Sequence, residues 1–335
     1  MALERVFRVS SGADRVDIRV EPVVEPAEVA ALLDDFQDRL LRLTHSDYRA
    51  ELARRFEAPD DIKVVWRSPR REVIGAGLLS VEGNAAELVF LHALPRYATV
   101  RATGHLLEAV LRALPPGVSK LRAFGSTSGR WVHLPAAKSR ALLCEQGFFE
   151  FERALLMRDL RRPLPSAPPI PPGYEIAVPD PDDVDRWAAF AFEAYRGTTD
   201  FGVITLEESE AAYRALYARF LSGELGTYAR RLSFVVQPAG GAPCAVLHTV
   251  FVGGEPYIGD LSVLPAHRRK GLGRALLVHG LDAFRQAGFS RTGLTATVQN
   301  RPAYALYQWA GFEVERSNHV FLHYGQGAVD RVGSP

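Results

Sequence analysis

The pattern of apolar and polar positions predicts helices and strands in the same order in each half of the chain. In the first half, the strand VDIRVEPV precedes a helical region from Pro26 to about Phe56, and the strands IKVVWRS, EVIGAGLLSV and AELVFLHAL follow. The helix TVRATGHLLEAVLRAL, the strand KLRAF, the helix AAKSRALLCEQG and the strand FFEFERALLM complete this half.

The second half repeats that order. The strand YEIAV is followed by two amphipathic helices, DPDDVDRWAAFAFEAY and LEESEAAYRALYARFL, and by three strands, LSFVVQP, CAVLHTVFV and PYIGDLSVL. A helix from Arg268, the strand TGLTATV, the short helix RPAYALYQWAG and a terminal pair of strands around FEVERSNHVFLHY come next. Internal duplication of one domain is the simplest explanation of this repetition.

A proline-rich segment from Arg161 to Gly173 separates the two halves. Because its prolines lack backbone donors and favour extended geometry, the segment should act as a semi-rigid spacer. We therefore expect one domain over residues 1–160, a linker over 161–173 and a second domain over 174–328.

Composition excludes several classes of partner. A net charge of +1 gives no overall field that would attract nucleic acid, and no apolar run is long enough to cross a membrane. Cys144 and Cys244 lack the spacing of metal ligands, and Cys244 starts an apolar strand, so neither a metal site nor a cysteine nucleophile is expected. The N-terminal stretch lacks a signal-peptide core. We expect a cytoplasmic monomer or homodimer without nucleic-acid or membrane partners.

The stretch HRRKGLGRALL, His267 to Leu277, places two glycines and a basic cluster where a helix of the second half begins. Backbone N–H groups in the first turn of a helix lack partners, and glycines at 271 and 273 would let a phosphate approach them closely. A helix start with a solvated basic rim explains the same residues. Four basic side chains could add charge-assisted contacts to a phosphate: Arg268, Arg269, Lys270 and Arg274.

The first half has the same helix start without these residues. At a separation of 170 residues, LHALPRYATVRATGHLL from Leu91 matches LSVLPAHRRKGLGRALL from Leu261. Ala98, Arg101 and Thr103 then stand in the places of Arg268, Gly271 and Gly273. The fold does not require the glycines, so ligand binding is the better explanation for them.

Two motifs of the second half resemble those of the GNAT superfamily of N-acetyltransferases. Arg268, Gly271 and Gly273 match the acetyl-CoA signature (Q/R)-x-x-G-x-(G/A), after a strand that ends in VLP. The second motif follows at the expected distance as Asn300-x-x-Ala303-x-x-Leu306-Tyr307-x-x-x-Gly311-Phe312. The resemblance covers about Tyr174 to Tyr324, and over the first half it covers element order only. It implies an α/β (α+β) fold with two GNAT-like domains, each a mixed, mostly antiparallel sheet flanked by helices.

The resemblance also implies where acetyl-CoA binds. The backbone of Leu261, Ser262 and Val263 would pair with the pantetheine arm, and the turn that includes Leu272 between its glycines would hold the pyrophosphate. Asn300 would bond the pantetheine arm, cap the short helix or do both, next to Ala303. Tyr307 would protonate the departing coenzyme A thiolate, since a phenol stays protonated at neutral pH. Its alternative role is a tyrosine with a buried ring and a hydrated hydroxyl.

The residues leave the general base open. Glu255 and Tyr257 lie on or next to the strand before the turn, and His248 lies on the preceding strand. Strand alternation predicts that Tyr257 shares a face with Gly259, while Asp260 points to the other face and is structural. Some family members carry Glu or His where this chain has Tyr257, so a water relay or deprotonation in bulk solvent are alternatives to a direct base.

The sequence therefore predicts an acetyl-CoA-dependent N-acetyltransferase that transfers the acetyl group directly, in a ternary complex, to a primary amine of a small molecule or peptide. A non-catalytic acyl-CoA sensor or scaffold is the alternative. Ala136 and Leu143 replace Asn300 and Tyr307 in the first half, which we expect to be a degenerate domain that does not bind acetyl-CoA productively.

The acceptor is the least determined part of the prediction. The segment from Tyr195 to Glu208 could line its site, and Asp200, Glu207 and Glu208 could attract a cationic amine. Aminoglycoside, peptide and polyamine acceptors remain open. Mycothiol synthases also carry two GNAT halves, but no residue here singles out their acceptor.

Overall fold

The computed structural model describes residues 6–11, 14–41, 48–124, 136–166, 168–180 and 183–325 of the chain. The chain divides into two compact units. The N-terminal unit comprises Met1–Phe151 and Asn318–Pro335, and the C-terminal unit comprises Glu152–Ser317.

The N-terminal unit is a sheet with a pair of helices on each face. Its helices are α1 (Pro26–Leu41), α2 (Arg49–Glu57), α3 (Val100–Ala113) and α4 (Ala136–Glu145). Its strands are β1 (Val6–Ser11), β2 (Asp14–Glu21), β3 (Ile62–Arg67), β4 (Val73–Glu82), β5 (Ala85–Ala93) and β6 (Lys120–Phe124), with the ends of β7 (Phe149–Asp159) and β14 (Glu313–Tyr324). Within this unit the order is β1-β2-β3-β4-β5-β6-β14, and only the pair β5–β6 is parallel among the described pairings.

The C-terminal unit has the same kind of sheet. Its helices are α5 (Val184–Tyr195), α6 (Phe201–Ile204), α7 (Glu210–Leu221), α8 (Leu272–Gln286) and α9 (Arg301–Trp309). Its strands are β8 (Tyr174–Ala177), β9 (Thr227–Tyr228), β10 (Phe234–Pro238), β11 (Ala245–Val252), β12 (Glu255–Val263) and β13 (Arg291–Thr297). The order is β7-β13-β12-β11-β10-β8, β9 pairs with β11, and the pair β12–β13 is parallel.

Both faces of each sheet are covered, because successive side chains of a strand point to opposite faces. On β3, Val64 packs into the apolar cluster of α3 and α4, and Val65 into the cluster of α1 and α2. On β10, Val236 packs with α8 and α9, and Val235 with α5 and α7. The predicted mixed, mostly antiparallel sheets flanked by helices are confirmed.

The two units match element for element around one hairpin. The nine-residue strands β5 and β12 begin and end at positions separated by the same 170 residues that relate the aligned sequences. Each has an irregularity in its pairing with the preceding strand, opposite Leu78/Leu79 in one unit and His248/Thr249 in the other. The equal spacing supports the predicted duplication.

The bounds of the units differ from those of the predicted domains because the last strand of each half pairs outside its own half. Arg153–Asp159 of β7 pair residue by residue with β13, and so belong to the C-terminal unit. Val320–Tyr324 of β14 pair with β6, and so belong to the N-terminal unit. Residue 328, the predicted end of the second domain, lies outside the described residues.

Two local predictions need correction. The predicted terminal pair of strands is wrong, since Glu313–Tyr324 form one continuous strand. The helical region from Pro26 is divided into α1 and α2, and residues 42–47 between them lie outside the described part. Among the described helices, none is long and apolar enough to cross a membrane.

Truncation of one buried valine tests the place of β14 in the N-terminal unit. Val320 is buried opposite β6, whereas Val314 on the same strand is 49% exposed. Val320→Ala should lower the free energy of unfolding by about 1.5–3 kcal/mol, because buried methyl groups are lost. The control Val314→Ala should change it by less than about 0.5 kcal/mol. Denaturant titration measures both, and equal effects would contradict the assignment.

Candidate active site

A cavity of about 230 Å³ lies where β12 and β13 separate in the C-terminal unit. The two strands pair only at Tyr257 with Gly293 and at Ile258 with Leu294, while β13 continues to pair with β7 as far as Thr297. The next residues of β12 and β13 therefore line an opening between the strands. Residues from both strands line it together: Gly259, Asp260, Leu261, Thr295 and Ala296.

A β-bulge in β12 decides which side chains face this cavity. Tyr257 pairs with Val250 and Asp260 with His248, so Gly259 is an extra residue between them. Since Val250 and His248 are two positions apart on β11, their partners Tyr257 and Asp260 lie on the same face. The predicted opposite orientation of these two side chains was wrong, because regular alternation does not hold across a bulge.

Glycine at the bulge makes room for an aromatic wall. A Cβ atom at Gly259 would lie 2.2 Å from Cε2 and 2.5 Å from Cζ of Phe220, which is closer than non-bonded atoms can approach. Phe220 lies on α7 and lines the cavity with other residues of α5 and α7: Tyr195, Tyr213, Leu216 and Tyr217.

The positions of α5 and α7 are fixed at their first turns. Asp183 caps α5 by accepting a hydrogen bond from the Arg186 N–H at 2.9 Å. Ser209 caps α7 by accepting one from the Ala212 N–H at 3.1 Å. These side chains satisfy backbone donors that a helix start leaves unpaired.

Asp260 is a buried carboxylate surrounded by hydroxyl groups. The Tyr195 and Tyr217 hydroxyls donate to it at 2.6 and 2.5 Å, and the Ser262 hydroxyl donates at 3.1 Å. Burial raises the pKa of Asp260, and these hydrogen bonds partly offset that effect. Burial also raises the pKa of Tyr195 and of Tyr217 well above the ordinary value, so both phenols are neutral donors.

The second carboxylate of the cavity, Asp200, is neutralised by neighbouring groups. Arg153 donates to it at 3.1 Å, Asn300 Nδ2 donates at 2.5 Å, and the Thr297 hydroxyl also donates. Asn300 Oδ1 accepts from the Ala303 N–H at 3.4 Å, so the predicted cap of α9 is confirmed. Because Asp200 is held in this network, it does not present the free negative charge that we expected.

Tyr307 and Tyr257 both line the cavity. Tyr307 is only 7% exposed, its ring packs edge-on against Phe312, and burial raises the pKa of its hydroxyl. The Tyr257 hydroxyl lies 2.5 Å from Thr295 Oγ1, and burial raises its pKa as well. Both phenols are therefore protonated at neutral pH, and Tyr257 in that state is not a direct base.

The glycine-basic turn has the geometry of a helix start with open backbone. Gly271 has φ +84° and Arg269 has φ +64°, and no atom lies within 4 Å of a Cβ placed on Gly271. No side chain caps the helix at Gly271, and its first hydrogen bond runs from the Ala275 N–H to the Gly271 carbonyl at 3.0 Å. The N–H groups of the three residues before Ala275 precede that bond, so they remain available to an anion.

The basic side chains around the turn differ in their contacts. Arg268 donates to the carbonyl oxygens of Val263 at 3.0 Å and Ala194 at 2.5 Å, which joins the end of β12 to the end of α5. Lys270 donates to the Tyr174 hydroxyl at 3.1 Å, and the Arg274 guanidinium lies 5.0 Å from the Trp309 ring centroid. Arg268 thus positions the turn, and its contact with a phosphate stays a prediction.

At the equivalent turn of the N-terminal unit, side chains of the turn itself form hydrogen bonds with its backbone. The Thr99 hydroxyl accepts from the Ala102 N–H at 3.1 Å and so caps α3. The Thr103 hydroxyl, fully buried, donates to the Thr99 carbonyl at 2.9 Å. The N–H donors that face outward at Gly271 are satisfied within the fold here.

Comparisons with known proteins identify the family. A family model described as the acetyltransferase (GNAT) family matches residues 191–312. A mycothiol acetyltransferase of Clavibacter sepedonicus is 30% identical over 237 residues, which are 69% of this chain and 69% of the relative. The chain belongs to the GNAT family of acetyltransferases.

Two further similarities extend over most of the chain. A mycothiol acetyltransferase of Thermobispora bispora is 27% identical over 316 residues, 89% of this chain and 95% of that protein. A solved GCN5-related N-acetyltransferase from Sphaerobacter thermophilus covers 92% of this chain and 95% of its own, with TM-score 0.52 and 15% identity. The sequence relatives confirm the predicted GNAT N-acetyltransferase, and the solved structure shows the shared fold.

The GNAT motifs predicted only some of the residues that line the cavity. Glu255 lies at the hairpin end of β12 and is not among the residues that line the cavity, and neither is His248, whose pKa burial lowers to about 3. Arg153 and Tyr217 line it without any motif to mark them. The one sequence signal for the cavity wall was Gly259, since a glycine inside a strand pattern indicates a bulge.

Addition of a single methyl group tests the bulge. Gly259→Ala should lower the free energy of unfolding by about 1–3 kcal/mol, because the new Cβ displaces the Phe220 ring. The control Gly273→Ala meets its nearest atoms at 3.7 and 3.8 Å and should leave stability equal or slightly higher. Denaturant titration compares them, and an unaffected Gly259→Ala variant would disprove the close contact with Phe220.

Proposed function

We propose that the C-terminal unit transfers an acetyl group from acetyl-CoA to the primary amine of a small molecule, directly and within a ternary complex. The observation that carries the proposal is the continuity of the cavity. It reaches from Tyr307 and the opening between β12 and β13 to the Asp260 carboxylate and the aromatic groups of α5 and α7. A thioester and an amine that enter from these two sides would meet in one cavity.

The donor would bind along β12 and the start of α8. The open N–H groups after Gly271 and the exposed basic rim suit a pyrophosphate. The backbone of Leu261 to Val263 would pair with the pantetheine arm, as proposed from the sequence, and it has no β13 partner in the described pairing. Together these groups would place the thioester next to Tyr307.

Tyr307 would move protons during collapse of the tetrahedral intermediate. Its raised pKa keeps the phenol protonated, but a proton passed to a thiolate with an ordinary pKa of about 8.5 would leave a strongly basic phenolate. The transfer becomes favourable if the phenolate takes the proton that the attacking nitrogen still carries. Tyr307 would therefore act as a shuttle between nitrogen and sulfur, with Tyr257 and Thr295 able to order a water nearby.

The relatives suggest where a search for the acceptor should begin. The curated relatives reported above are named mycothiol acetyltransferases, so a mycothiol-type amine belongs in any acceptor panel. The Glu207 and Glu208 side chains do not line the cavity, and Asp200 is paired with Arg153. Support for a small-molecule acceptor therefore comes from the small volume of the cavity, about 230 Å³, more than from the predicted acidic segment.

Removal of one hydroxyl group tests the acid role. Tyr307→Phe keeps the ring contact with Phe312 but should lower kcat at least about 100-fold, with acetyl-CoA affinity unchanged. Tyr304→Phe on the same helix is the control, since Tyr304 does not line the cavity. Coenzyme A release across an amine panel measures turnover. Full activity of Tyr307→Phe would rule out the shuttle, and acetyl-CoA binding without turnover on any amine would favour the sensor.

A charge reversal at the turn tests donor binding and its stoichiometry. Calorimetry should detect one acetyl-CoA site per chain, because at the equivalent N-terminal turn Thr99 already accepts from the Ala102 and Thr103 N–H groups. Gly271→Glu should abolish binding by placing a carboxylate at the anion site. Gly254→Glu is the matched control: its φ is +83°, and no atom lies within 4 Å of its Cβ either. Two equivalent sites in the wild type would refute a non-binding N-terminal unit.

A further inference from the structure

Asp260 is a buried carboxylate that the fold itself does not require. Phe90 is the residue of the N-terminal unit that is equivalent to Asp260. It lies 170 residues earlier and, like Asp260, directly follows the extra residue of its strand. Phe90 is fully buried and packs edge-on against Phe36 and Phe56, at centroid distances of 5.0 and 5.7 Å. The same backbone thus accepts an apolar side chain, whereas burial of a carboxylate opposes folding. A structural role alone does not explain Asp260.

No basic side chain of the described residues pairs with Asp260. Among the described residues that line the cavity, Arg153 is the one basic side chain, and it pairs with Asp200. Asp260 receives hydrogen bonds only from neutral hydroxyl groups. The cavity therefore has two carboxylates and one cation, and the missing positive charge is a feature that a ligand could supply.

Part of the wall of the cavity that Asp260 lines is apolar and aromatic. Leu216 and Phe220 of α7, with Ile204, Leu225 and Val250, line the same cavity. These side chains offer no hydrogen-bond partners to the hydroxyl groups of a sugar. An apolar or aromatic body, in contrast, would gain from contact with them.

We propose that Asp260 binds the amino group of the acceptor and takes up its proton, and that the acceptor is a compact primary amine with an apolar or aromatic body. This inference rests on the proposed acetyl transfer. The Tyr195, Tyr217 and Ser262 hydroxyls hold the carboxylate in place, and the bulge at Gly259 turns it toward the cavity that Tyr307 also lines.

The proton balance of the reaction is complete. The ammonium group gives one proton to the Asp260 carboxylate, and the neutral nitrogen forms a bond to the thioester carbonyl carbon. As the carbon–sulfur bond breaks, Tyr307 protonates the leaving sulfur and regains a proton from nitrogen. The products are the amide and coenzyme A, and the carboxylic acid of Asp260 then releases its proton to solvent.

The groups around Asp260 are suited to this role. Tyr195 of α5, Tyr213 and Tyr217 of α7 face it as neutral phenols, because burial raises the pKa of each. His248 on β11 is neutral as well, since burial lowers its pKa to about 3. Asp200, paired with Arg153, is the other charged neighbour. Burial raises the pKa of Asp260 itself, which makes its carboxylate a stronger base than an exposed one.

Replacement of the carboxylate by its neutral amide tests the proposal on the full-length chain. Asp260→Asn is compared with Asp185→Asn, which removes an exposed carboxylate that pairs with Arg214 on the same unit. Phenethylamine and n-hexylamine serve as apolar acceptors, and glucosamine as the polar one. Calorimetry with acetyl-CoA and thermal melting verify donor binding and folding of each variant.

The expected result has three parts. Asp260→Asn should lower kcat/KM for the apolar amines at least about 100-fold, whereas Asp185→Asn should not. The kcat/KM of Asp260→Asn should rise tenfold per pH unit up to the pKa of the amine, because only free amine can react, while the wild type reaches a plateau. The wild type should also prefer the apolar amines to glucosamine. A merely structural role of Asp260 would not change the pH profile in this way.

Other outcomes separate the two proposals. If acetyl-CoA does not bind the wild type, or no amine is acetylated, the proposed function fails. If the wild type is active and folded Asp260→Asn retains its rate and plateau, or glucosamine is the better acceptor, the present inference is overturned. If Asp260→Asn does not fold, Tyr217→Phe replaces it in the test. Because this variant removes one hydrogen bond to the Asp260 carboxylate, the acidic limb of the pH–rate profile should move to higher pH. An acidic limb that does not move also overturns the present inference.

Discussion

One extra residue in β12 determines the arrangement of the cavity. With regular alternation, Tyr257 and Asp260 would point to opposite faces; with Gly259 inserted, both face the cavity. Pairing between β12 and β13 also ends at the residue before the bulge. The close approach of Phe220 to this bulge in turn depends on the absence of a side chain at Gly259, because the Phe220 ring occupies the space where a Cβ would lie. Shape, charge and access of the cavity thus depend on a single backbone irregularity.

Comparison of equivalent positions in the two units shows which residues the shared backbone requires. The N-terminal unit keeps the paired strands, the bulge and the helix after β5, but Thr99 caps that helix and Phe90 fills the space at the bulge. In the C-terminal unit an uncapped glycine and a buried carboxylate stand in those places. Both choices reduce stability in isolation, so a ligand is the better explanation for them than folding.

The sequence predicted the contiguous parts of the site and missed the distant ones. The glycine turn and the α9 motif each lie within about a dozen residues, where spacing alone defines the geometry. Arg153 and Asp200, in contrast, are brought together by β7, whose pairing with β13 is a long-range contact. Strand alternation was a sound rule for Asp260, but it could not show that Gly259 is an added residue. The predicted terminal pair of strands is instead the single strand β14, which continues through the polar residues at its centre.

The division of β14 between the two units has a consequence for how the chain folds as it is synthesised. The sheet of the N-terminal unit begins with residues made early, yet Val320 to Tyr324 must pair with β6 before that sheet is complete. Such a contact spans about two hundred residues, and pairings of this kind form slowly. Until the last strand arrives, β6 would have an exposed edge, a known route to aggregation.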